Sequence, residues 1–198
     1  MSLSLSLFLA DPEVTRAVVG SGDVRVRRAI GGRFKQEMAR DDDYFSSEIE
    51  SGAPTRYAAL TAVVDGGPFA TGHGFQYGYA YRMICAFHGR RLWGNMFSPF
   101  KFAWLEHVDK GLKSVGIDAV EVSEFGYGLP DPLPSTDLPG HGVWTPGQCA
   151  AALTQYEAVT DEQWADLDSE VREAIEEIGG WLREARANPG RGVVGFLS

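Results

Sequence analysis

The sequence predicts an α+β fold: a small, mainly antiparallel sheet containing the N- and C-terminal strands, packed against several α-helices. Three observations predict it. Leu3, Leu5, Leu7 and Leu9 alternate with serine and phenylalanine, which is the period of a half-buried strand. Near the other end, Gly192–Leu197 is a short apolar run that follows the turn signal Asn188-Pro189-Gly190. Between the two, helical patterns succeed one another without the strand–helix alternation that builds a doubly wound parallel sheet.

The elements follow in order. After the first strand, Asp11 and Pro12 suit a helix cap and first helical position, and Gly20 suits its close. Asp23 caps a second helix over Val24–Ala39, where Val26, Ile30, Phe34 and Met38 recur every four residues around a weak point at Gly31-Gly32. A short helix covers Tyr44–Ile49, and another runs from Thr55 to Val64 before Gly66-Gly67. Glycines make the stretch after Phe69 a loop, and from about Tyr77 the pattern turns helical, with Tyr77, Tyr81, Ile84, Cys85 and His88 on one face.

Ser98-Pro99 then caps a helix reaching Leu112, with Trp104, Val108 and Leu112 facing inward. Glu106 with Lys110, and Asp109 with Lys113, read as outward i,i+4 ion pairs. Four prolines between Gly126 and Gly142 exclude a central strand or a helix interior there. Val143-Trp144 starts a short strand, and Thr145-Pro146 caps a helix over Gly147–Tyr156. Thr160 or Asp161 caps the last helix, whose Trp164, Leu167, Val171, Ile175, Ile178 and Leu182 keep a helical spacing past Gly179-Gly180. The whole reads as a single α+β domain over residues 1–198, with a subdivision at the Pro-rich loop 126–142 as the alternative.

Composition bounds the function. Apolar residues are 44% and charged ones 23%, enough for a core that needs no disulfide or structural metal. The net charge of −9 opposes nucleic acid and anionic membranes and favours a basic protein partner. The basic stretch Arg25–Arg40 is accordingly a solvated helix face rather than a nucleic-acid contact. Cys85 and Cys149 lack CxxC companions; Cys85, beside Met83 and Ile84, reads as a small buried hydrophobe. The N-terminus lacks the basic residues of a signal peptide, and no run approaches the roughly 20 apolar residues of a membrane span, so a cytoplasmic protein is expected. A homodimer is the base-rate expectation for its assembly.

The order Trp144-Thr145-Pro146, an Ala-rich helix, an acidic helix ending in Trp181-Leu182-Arg183-Glu184-Ala185, and Gly192–Leu197 resembles the YfbM-like family of uncharacterised bacterial proteins. Gly78–Tyr81, Phe97–Pro99 and Trp104–Asp109 are similar to a closer group of uncharacterised actinobacterial proteins. The resemblance implies an α+β domain with strands at both ends. It brings no activity, cofactor or catalytic residue.

The residues themselves show no catalytic motif. Asp41-Asp42-Asp43 lacks the further ligands of a calcium loop and reads as a solvated cap. The four histidines form no HExxH, Ser98 lies in no GxSxG, and no phosphate-binding glycine fingerprint occurs. No catalytic residue, metal or cofactor is therefore expected. The first functional expectation is a non-enzymatic protein-binding module, immunity-like or regulatory, with Tyr79, Pro132 and Pro134 on the partner surface. The alternative is a small-molecule-binding protein or hydrolase. Its pocket would use His73, Tyr77, Tyr81, Ser98 and Trp104, with the helix start at Ser98 holding an anion.

Overall fold

Both ends of the chain enter one four-stranded antiparallel sheet of order β2-β1-β4-β3, formed by β1 (Leu5–Ala10), β2 (Arg90–Leu92), β3 (Gly140–Trp144) and β4 (Gly192–Leu197). The computed structural model describes residues 2–198. In β1, Leu7 stands opposite Gly195 of β4 and Leu92 of β2. Just before β1, Ser4 N–H donates to Ser198 O at 2.7 Å and Ser198 N–H returns the bond at 3.0 Å. The predicted α+β class, with both terminal strands in the sheet, is the observed one.

The chain forms two compact units. The first holds residues up to Pro12, Arg90–Tyr127 and His141–Ser198; the second holds Glu13–Gly89 and Gly128–Gly140.

In the first unit the sheet is joined by α7 (Ala103–Ser114), α8 (Pro146–Glu157), α9 (Asp161–Ala165) and α10 (Ser169–Ala187). Every residue of β4 is buried, which explains its unbroken apolar sequence. Gly195 is required there because a Cβ would overlap the Phe125 ring from the 3-10 turn Val122–Gly126. Trp144 is fully buried against Phe125 and Trp181, and its indole donates to Glu121 O at 3.1 Å. From α10, Ile175, Ile178 and Leu182 join the core; burying each such side chain contributes about 1.5–3 kcal/mol.

Capping sets the helix boundaries in this unit. Thr145 and Gln148 form a capping box at α8, and Thr160 and Gln163 form another at α9. The expected single last helix is two. Asp168 Oδ1 accepts from Glu170 N at 2.9 Å and starts α10 afresh, which then runs unbroken through Gly179-Gly180.

Ser98-Pro99 does not cap a helix. Phe97 O accepts from Leu5 N at 2.9 Å, and Phe100 exchanges backbone bonds with Leu3, so this segment turns and bends between two contacts to the N-terminal strand and α7 starts at Ala103. Leu105, Val108 and Leu112 form its buried face, with Trp104 half-buried at the edge. The expected Asp109–Lys113 pair is absent too. Asp109 is buried and accepts from Val122 N at 2.6 Å and Ser123 N at 3.1 Å, while Lys113 pairs with Glu121 at 2.7 Å.

The second unit contains α1 (Pro12–Val18), α2 (Val24–Arg33), α3 (Lys35–Tyr44), α4 (Ser46–Glu50), α5 (Arg56–Asp65) and α6 (Gly74–His88), with the segment 128–140. The expected helix over Val24–Ala39 breaks at Phe34, where φ is −103° and ψ 17°, and not at the glycines. Gly31 is helical and faces Tyr57 of α5, where a Cβ would sit 2.6 Å from that ring, so the absence of a side chain serves the packing of the two helices. Thr55 caps α5, and Gly66 closes it with φ 82°, the left-handed conformation glycine adopts freely. Helix α6 starts at Gly74, earlier than Tyr77, after a short 3-10 turn Thr71–His73. Its Gly78 accepts the close approach of Pro139, whose Cγ would lie 2.8 Å from a Cβ.

Candidate functional site

The predicted ligand residues divide between the units. His73, Tyr77 and Tyr81 belong to the second, Ser98 and Trp104 to the first. His73 is partly exposed just before α6. Tyr77 is buried, and its hydroxyl accepts from Ala70 N at 2.8 Å. Tyr81 is 2% exposed, and burial raises its phenol above its ordinary range. Both tyrosines thus serve the core of α6. Ser98 is exposed in a bend and offers no helix start for an anion.

Of the predicted partner residues, Pro132 is exposed and Pro134 partly so. Tyr79 is half-buried, with the guanidinium carbons of Arg56 and Arg82 lying 4.7 and 5.0 Å from its ring centre. The two thiols are structural. Burial pushes Cys85 up to about 12 and Cys149 up to about 11, so neither is a thiolate at neutral pH.

The second unit also presents an open cleft of about 340 Å³ lined by Thr71, Gly72, Phe75, Ser135, Thr136 and Asp137. Gly74 is needed at its floor because a Cβ would overlap the carbonyl of Ser135.

A strongly acidic segment belongs to the first unit. Residues 157–184 carry ten carboxylates and two arginines, a local charge of −8 against −9 for the whole chain. Part of this charge is structural. Glu177 accepts from Asn95 N at 2.7 Å and Met96 N at 3.2 Å, Asp168 caps α10, Glu176 pairs with Arg172 at 3.0 Å, and Arg186 reaches Glu157 at 2.9 Å. Asp161, Glu162, Asp166, Glu170 and Glu173 are exposed, and none has an ion-pair partner among the described residues.

Two shallow clefts open beside two of these carboxylates, Glu170 and Asp166. One, of about 270 Å³, is lined by Asn95, Met96, Pro99, Phe100, Trp104 and Glu170. The other, of about 240 Å³, includes His107, Lys110, Asp166, Leu167 and Asp168. Trp104 and His107 stand one helical turn apart on α7, with ring centres 5.9 Å from each other. The indole of Trp104 donates to Met96 O at 2.9 Å, and Glu177 holds the same loop from α10. The aromatic edge is therefore held in place from both α7 and α10. An exposed indole, Trp93 at 76%, extends this unit's aromatic surface, with the guanidinium of Arg91 4.6 Å from its ring centre.

The sequence reading named Trp104 and the acidic helix ending at Ala185, but not which carboxylates stand exposed and unpaired. The signal for them was the ratio of carboxylates to arginines within 157–184. It also missed Arg56, which is fully buried and paired with Asp41. Asp41 and Asp42 are therefore not a solvated cap: Asp41 holds the Arg56 guanidinium, and Asp42 accepts from Arg56 N at 2.6 Å. Arg25, Arg28, Arg33, Lys35 and Arg40 do form an exposed basic face.

No group of His, Cys, Asp and Glu among the described residues is arranged to hold a metal ion, and no described helix is long and apolar enough to cross a membrane. No curated protein and no solved structure matches the sequence significantly. A family model does match, over residues 1–198, and the chain belongs to that family, described as Domain of unknown function (DUF7691).

Proposed function

We propose that this chain is a non-enzymatic protein-binding module, immunity-like or regulatory, that captures a basic protein through the acidic face of its first unit. The observation that carries the reading is the set of five exposed carboxylates without ion-pair partners among the described residues, Asp161, Glu162, Asp166, Glu170 and Glu173, of which Glu170 shares a cleft with the half-buried Trp104 and Asp166 one with His107. Unneutralised charge of one sign raises association rates with a partner of the other sign and sets its orientation. A fixed aromatic edge supplies the apolar contact that charge alone lacks. A cytoplasmic location and kinship with the YfbM-like family belong to the same proposal.

The experiment is affinity capture from native host lysate at low salt, with the double variant Asp166→Lys/Glu170→Lys run in parallel. One stoichiometric basic protein held by the native chain and released by salt or by the variant supports the reading. Equal retention by the variant removes the acidic face from it.

A second reading, small-molecule binding in the second unit, is favoured by the polar cleft of about 340 Å³ between Thr71–Phe75 and Ser135–Asp137. Its size falls in the range of small-ligand sites. Native mass spectrometry of the purified chain tests it: a retained metabolite lost on Asp137→Ala supports the cleft, and a bare mass counts against it.

A further inference from the structure

The interior of the second unit contains a polar cluster that its own side chains leave incomplete. Arg56 lies at the first position of α5 with its side chain fully buried. Its Nε donates to Asp41 Oδ2 at 3.0 Å and its Nη1 to Gln76 O at 3.0 Å. Nη2 is equally buried and bonds to nothing among the described residues. Gln76, in the first turn of α6, is also fully buried, and neither Oε1 nor Nε2 of its amide has a partner. Two rings lie on one side of the guanidinium: the ring centres of Tyr79 and Phe45 are 4.7 and 5.6 Å from Cζ and 5.7 Å from each other.

We infer that a water molecule is bound inside this unit between the guanidinium of Arg56 and the side-chain amide of Gln76. The chemistry selects the occupant. Nη2 and Nε2 offer only hydrogens, and Oε1 offers only lone pairs, so a single species that serves all three must both donate and accept. Asp41 already balances the guanidinium, so a second anion has no charge to neutralise. A cation is repelled by the same guanidinium. The three atoms are closed to solvent, so the occupant is small and enters when the unit is made or opens locally. Buried waters are found where polar groups would otherwise go unbonded, and they typically make about three hydrogen bonds. Such a water links α5 to α6 through the side chain of Gln76, in addition to the direct bond at its carbonyl.

The test is oxygen-17 magnetic relaxation dispersion, which counts long-lived internal waters, on the native chain and on Gln76→Met. The variant keeps the side-chain volume and removes both amide atoms. The expected result is a folded variant with one fewer long-lived water. An unchanged count in a folded variant overturns the inference. If the variant does not fold, an atomic-resolution crystal structure of the native chain decides. A density peak within hydrogen-bonding distance of Arg56 Nη2 and the Gln76 amide upholds the site, and a direct Nη2–Oε1 bond with no solvent peak removes it.

Discussion

Arg56 Nε and Asp41 Oδ2 lie 3.0 Å apart, the arginine side chain wholly buried and the aspartate partly open to solvent. Burial lowers the pKa of the guanidinium and the Asp41 carboxylate raises it, so the cation depends on this partner. Removing one member of a buried pair leaves an uncompensated charge, which costs far more than the intact pair contributes. Asp41→Ala is therefore expected to destabilise the chain by about 3 kcal/mol. Urea denaturation measures it; a loss below about 1 kcal/mol, the scale of surface pairs, would show that Arg56 finds another partner.

A second prediction concerns Asp109. Burial raises its pKa above the ordinary 3.8, and the bonds from Val122 and Ser123 only partly offset this. The folded chain then holds this proton more tightly than the unfolded chain. Its contribution is fully present below pH 3.8 and is lost as pH rises through the folded value. Asp109→Asn abolishes that slope. Unfolding free energies at several acidic pH values, as the difference between the native chain and the variant, should move in the variant's favour as pH rises. A difference constant with pH would contradict the assignment.

The close approach of Gly195 to Phe125 gives a third. The Cβ of Gly195→Ala would overlap the ring, so either the strand or the 3-10 turn must shift. Overpacking of this kind costs about 1–3 kcal/mol. The thermal midpoint should fall by several degrees, with Phe125→Leu restoring part of the loss in the double variant. Simple additivity of the two changes would show that the contact is not the cause.

These sites also mark what the sequence could and could not disclose. Local signals read correctly: the leucine alternation placed β1, and Thr145 and Thr160 started the helices they precede. The failures came where distant backbone claimed a residue. Ser98-Pro99 has the chemistry of a helix start, but Leu3 and Leu5 take the backbone groups of its neighbours Phe100 and Phe97. Asp109 has the spacing of an i,i+4 pair, but backbone N–H groups 13 and 14 residues onward take its carboxylate. Arg56 carries no local mark of burial, because Asp41 and Gln76 reach it from 15 and 20 residues away. Tyr77 and Tyr81 were legible as one helical face, where core is the commoner place for aromatics at that spacing, and both are buried; the alternative that used them as ligand contacts is the one that fails. The acidic face needed only local charge counting, so it was open to sequence reading from the start.

The most direct test of the central claim is the salt dependence of capture by the acidic face. Native chain and Asp166→Lys/Glu170→Lys are immobilised, exposed to host lysate across a salt series, and the retained proteins are quantified. The account predicts one stoichiometric basic partner on the native chain, weakening steadily with salt as screening sets in, and its loss on the variant. Retention that is independent of salt and of the two substitutions, or no retained protein at any salt, would contradict it.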